Sequence, residues 1–157
     1  MTTQMNASHA QWREDYDRKL GQVIAHLERT TDDDWCEGVV RRDTGGEKNC
    51  IFGHIFAMGD DVKSSNRWWN WFEDNVASTY MAYPVNDGED PRYPQKTARS
   101  RCLAYLRDIL DGKEMNVLQV IEEYEKKFAL PVGPDCLRRH PEWNFAVFPT
   151  PDGPNPV

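Results

Sequence analysis

Trp12, Tyr16, Leu20, Val23 and Leu27 recur in steps of four, four, three and four. That spacing places all five on one face of an α-helix from His9 to Arg29, and an apolar stripe of this length has to be buried against a neighbour. Ile24 widens the stripe, while Gly21 inside it lets another element come close, at a cost of about 1 kcal/mol against alanine. Ser8 is suited to cap the start. Three further segments carry a helical signal. Cys50 to Gly59 is apolar almost throughout and reads as a buried helix ending at a glycine, with a strand as the competing reading. Asn66 to Thr79 puts Trp68, Trp69, Phe72 and Val76 on one side and Trp71 on another. Thr97 to Leu110 carries Cys102, Leu103, Leu106, Ile109 and Leu110 at helical spacing, with Thr97 as cap and Gly112 as stop.

A last helix is expected from Glu114 to Phe128, burying Val117, Val120, Ile121, Tyr124 and Phe128, with Glu122 and Lys126 spaced as an i,i+4 pair. Between the first two helices, Thr30 to Trp35 has the hydroxyl cap, acidic residues and aromatic anchor of a single helical turn. Gly38 to Asn49 fits a loop or small hairpin, with Val39-Val40 as a short strand. Tyr83 to Lys96 reads as a long central loop: Asn86-Asp87-Gly88 suits a tight turn, and Pro84, Pro91 and Pro94 fix three backbone angles. From Leu130 onward seven prolines forbid regular helix. The chain is therefore expected to be mainly α: a compact bundle of about four helices, a long central loop and an extended Pro-rich C-terminal tail. A single helical domain spans 9–148, and 1–8 and 149–157 are flexible termini.

Charge narrows the functional classes. With 19 basic residues interspersed among 26 acidic ones, the net charge is -7, which opposes unspecific nucleic-acid binding through phosphates. Arg138, Arg139 and His140 form too short a cluster to change that. No stretch is apolar enough to span a membrane, and the N-terminus lacks the basic start and apolar run of a signal peptide. A cytoplasmic protein is expected, with Cys36, Cys50, Cys102 and Cys136 as reduced thiols and no CxxC pair.

The strongest binding signal is the tryptophan cluster. Indoles at i, i+1 and i+3 span too wide an arc to face one core, so one of them is expected to meet another surface. The expected contact surface is Trp68, Trp69, Trp71 and Phe72 together with Asn86, Asp87 and Tyr93 of the adjacent loop. Its partner is a protein, or a second copy of the chain. Burial under the proline-rich tail is the structural alternative. Asn86 and Asp87 also read as turn residues, with an Asp87–Arg101 ion pair pinning the loop; Arg99 and Arg101 otherwise suit an anion. The competing class is a Cys/His-dependent enzyme or metal protein. On a helix, Cys50 and His54 would share a face, Asp87 would serve as further ligand or base, and Cys36, Cys102 and His26 would have to converge from elsewhere. No cofactor is implied.

Trp35, Cys50-x-x-Gly53, Asn86-Asp87 and Leu103-x-x-Leu106 together resemble a pattern in small uncharacterised proteins of actinobacteria and their phages, over about residues 10 to 111. That resemblance implies an origin rather than a mechanism, and a host protein as partner. A weaker similarity, to DinB-like four-helix metal-dependent proteins, rests on Leu20–Leu27, Asp32–Trp35 and Cys50–Ala57. This chain lacks that group's later His-x-x-x-His pair.

Overall fold

The computed structural model describes residues 2–39, 41–42 and 47–128, and the backbone alone of 2–8, 41, 42 and 128. The extended tail from Leu130 and the terminus 149–157 lie outside the described residues. The protein is mainly α, with six helices among the described residues: α1 (Thr2–Glu28), α2 (Ile51–Phe56), α3 (Val62–Asn75), α4 (Thr79–Asn86), α5 (Ala98–Leu110) and α6 (Val117–Phe128). A 3-10 turn at Asp32–Asp34 follows α1, and a two-stranded antiparallel hairpin, β1 (Arg41–Arg42) and β2 (Lys48–Asn49), precedes α2. The expected hairpin is present, with its strand just beyond Val39.

The periodic stripe of α1 is buried from Tyr16 to Leu27, whereas Trp12 stays exposed. Helix α5 packs between α1 and α4, and α3 contacts both α2 and α6. Buried Leu20, Val23 and Leu27 of α1 share one core with Phe52, Phe72, Val85, Leu106 and Ile121. Helix α1 begins at Thr2, so Ser8 lies within the helix rather than before its first residue.

Two boundaries differ from the sequence reading for identifiable reasons. The tryptophan helix stops at Asn75, where Val76 and Ala77 both donate to the Phe72 carbonyl. The carbonyl of Val76 then accepts the first N–H of α6, from Val117 at 2.8 Å. Helix α6 starts three residues later than expected because Asn116 caps it: its Oδ1 accepts from Gln119 N, and Gln119 Oε1 accepts from Asn116 N, both at 2.9 Å. The central loop is also shorter than expected, because Thr79–Asn86 is helical through Pro84. The proline forfeits one hydrogen bond, to the carbonyl of Tyr80 in the exposed first turn. Asn86-Asp87-Gly88 is the end of this helix. Gly88 has φ +76°, Gly88 N donates to Val85 O and Glu89 N to Pro84 O, the Schellman pattern of a left-handed glycine cap. Gly112 closes α5 in the same way.

Gly59, between α2 and α3, is fixed by close approach. A Cβ there would overlap the backbone N of Ser65 and lie 2.5 Å from its Cα. Gly59→Ala is expected to destabilise the protein by more than about 2 kcal/mol in urea unfolding. A loss within 0.5 kcal/mol would show that the α2–α3 corner opens freely.

Candidate functional site

Cys50 and His54 do not form a pair. Cys50 is the cap of α2, with extended backbone (φ -76°, ψ 179°), so the stacking that a helical Cys50 would provide is lost. The two side chains take different partners. Burial pushes the Cys50 thiol above its usual range and drives the His54 imidazole down to about 4. A thiolate–imidazolium pair needs shifts of the opposite sense. The His54 ring instead lies tilted against Trp35, centroids 4.4 Å apart, and bonds through Nε2 to the carbonyl of Asp34 at 3.0 Å. Because a carbonyl can only accept, Nε2 carries the proton. Among the described residues no three of His, Cys, Asp and Glu are grouped so as to hold a metal ion.

The Asn86–Asp87 segment carries bonds of a different kind. Asn86 is fully buried. Its Oδ1 accepts the first N–H of α2, from Ile51 at 2.9 Å, and its Nδ2 donates to Cys36 O at 3.0 Å and to Asp87 Oδ1 at 2.9 Å. Asp87 Oδ1 also accepts from Gly38 N at 2.9 Å. The expected Asp87–Arg101 ion pair is not formed. Arg101, only 5% exposed, reaches the carbonyl end of α4 instead: Nε donates to Val85 O at 2.9 Å and Nη2 to Asn86 O at 2.8 Å. Nη1 donates to Gln95 O at 2.9 Å, and Nη2 also pairs with Glu37 at 2.6 Å. A cation at a helix C-terminus is favoured by the dipole. Four of the five N–H groups of this guanidinium are committed within the fold, which leaves little for an outside anion. Tyr93 is buried too, its hydroxyl donating to Asp108 Oδ2 at 3.1 Å and its ring edge-on to Tyr105. Asn86 and Tyr93 therefore hold the loop to the fold and present no surface.

The tryptophans divide as the arc argument anticipates. Phe72 is wholly buried. Trp69 lies against Phe52 at 4.8 Å and donates through Nε1 to Glu73 at 2.9 Å. Trp68 and Trp71 face the other way, toward α1. Trp12, Tyr16, Trp71 and Trp68 form a continuous run of rings with successive centroids 5.3, 5.9 and 6.0 Å apart. Asn116 anchors the run from below by donating to the Tyr16 hydroxyl at 3.0 Å. At its end a groove of about 230 Å³ is lined by Lys19, Ser64, Arg67, Trp68 and Trp71, with the Lys19 ammonium 5.6 Å from the Trp71 ring. Sequence reasoning set Trp71 apart but grouped Trp68 with Trp69 and Phe72, and it missed Trp12, because nothing in the spacing tells which helix α3 meets. A second groove, of about 730 Å³, lies between the 3-10 turn, the hairpin and the start of α5. Lys48 and Lys96 there are offset by Asp32 and Glu37.

The chain matches no family model, no curated protein and no solved structure. Trp35, Cys50, Gly53, Asn86, Leu103 and Leu106 are buried and Asp87 is half-buried, and Asn86 bonds to Ile51 beside Cys50 and to Cys36.

Proposed function

We propose that this chain is a small cytoplasmic protein-interaction module whose contact surface is the aromatic face shared by α1 and α3. The observation that carries the reading is the ring run from Trp12 to Trp68, which starts at an indole 40% exposed and ends in a groove. Tryptophan is among the residues most favoured as interface anchors, because it brings large area at little entropic cost. Anchors already fixed by ring contacts lose less freedom on binding. The compact helical bundle serves as scaffold. The resemblance to phage-borne proteins suggests a host protein as the partner, and self-association through the same rings is the homodimeric form of the reading. No helix among the described residues is long and apolar enough to cross a membrane. Cys50 and Cys102 are buried free thiols, in keeping with a reducing compartment.

The test compares Trp12→Ala/Trp68→Ala with wild type in capture from host extract and in sedimentation. Loss of at least about tenfold in capture or dimerisation is expected, with far-UV circular dichroism unchanged. Trp69 is a poor choice for this purpose, since it packs on Phe52 and its loss would disturb the core. Capture and self-association both equal to wild type would refute the reading.

A further inference from the structure

We infer that the groove between α1 and α3 takes an acidic peptide segment carrying one bulky apolar side chain. The inference rests on the interaction-module reading and adds the chemistry of the partner. The floor is two indoles set edge to face, Trp68 and Trp71, and the volume of about 230 Å³ suits a single large side chain. Two cations flank that floor, and no carboxylate lines the groove. Lys19 and Arg67 have no ion pair among the described residues, and Lys19 is placed over the Trp71 ring.

Four acids close in sequence are already engaged. Asp15 is held by Arg18 at 3.1 Å, and Asp17 by Arg13 as an ion pair at 3.2 Å that lacks hydrogen-bond alignment. Asp61, near enough to Arg67 for that charge to help lower its carboxyl, caps α3 by accepting from Ser64 N, and Glu73 accepts from Trp69. On a chain of net charge -7 the groove is thus a local positive site with an apolar base. Such a surface selects a carboxylate beside an apolar anchor. It disfavours a cationic partner, whose charge would meet an ammonium and a guanidinium.

The experiment titrates the full chain with acetyl-Glu-Asp-Phe-Glu-Asp-amide and with its neutral isostere acetyl-Gln-Asn-Phe-Gln-Asn-amide, following indole emission. Phenylalanine in the probes leaves that signal to the protein. Saturable binding of the acidic peptide is expected, with the neutral one weaker by about tenfold at low salt. Lys19→Gln/Arg67→Gln, which alters two side chains outside the core, should abolish the difference between probes. Equal binding of both peptides, or binding of neither, overturns the inference and leaves the Trp12/Trp68 capture test to decide the module reading separately. Acidic-peptide binding that emerges only when two apolar residues of the Pro-rich tail are replaced, as Trp143→Ser/Phe145→Ser, would assign the groove to the chain's own C-terminal segment, and equal affinity for oligothymidylate would assign it to single-stranded nucleic acid. Either result overturns it as well.

Discussion

Arg101→Met is expected to cost about 3–5 kcal/mol of unfolding free energy, read as a lower urea midpoint at unchanged slope. The methionine fills much of the volume but removes every donor. The carbonyls of Val85, Asn86 and Gln95 then lose the partners they have at 2.9, 2.8 and 2.9 Å, in a site closed to water around the side chain. Each buried acceptor left unmade costs about 1–3 kcal/mol. The Glu37 pair contributes little of this, since that carboxylate is half exposed and screened. Glu37→Gln should accordingly stay within about 1 kcal/mol of wild type. If Arg101→Met does too, the guanidinium is not what holds the end of α4, and the account of the Asn86 segment given above is wrong.

Stability should fall by up to about 3 kcal/mol between pH 6.5 and pH 4 through His54 alone. Burial holds the folded imidazole near 4, against an ordinary value of 6.5. The unfolded chain therefore binds the extra proton first, and unfolding takes up protons throughout that window. The contribution is complete above pH 6.5 and is lost as the pH falls toward 4. His26, whose ring bonds to the backbone of His54, is lowered by burial and adds in the same direction. In His54→Gln the amide can still donate to the Asp34 carbonyl but cannot titrate, so the slope of unfolding free energy against pH should flatten over this range. A slope as steep as in wild type would place the titration elsewhere.

How much of this was legible follows from where each signal lies. Helices α1 and α5 declare themselves because one face of each is buried, in α1 from Tyr16 to Leu27, and Thr97 could be read as a cap from its position alone; it accepts from Ser100 N at 3.1 Å. Helix α4 was hidden by Pro84 and by Asn86-Asp87-Gly88, which spell a turn as readily as a helix end. The capping residues Asn116 and Gln119 were visible at the right spacing and passed over. Burial of Asn86 and Arg101 was not legible at all. Polar and charged residues are rarely so deep, and most of the groups that repay their desolvation come from segments 15 to 64 positions away. The site shows the same limit: the spread of the tryptophans was readable from α3 alone, its partner helix was not.

The carbonyl clamp at the end of α4 also bears on the order in which the chain acquires structure. Eight residues with an internal proline are too few to hold a helix in water, where about 12–15 are needed even for good helix formers. Two of its last carbonyls, those of Val85 and Asn86, are met by a side chain that arrives only with α5. Asn86 in turn supplies the acceptor for the first N–H of α2. The stability of α2 and α4 thus leans on α5 docking, and the middle of the chain is expected to gain its helices together rather than one after another from the N-terminus.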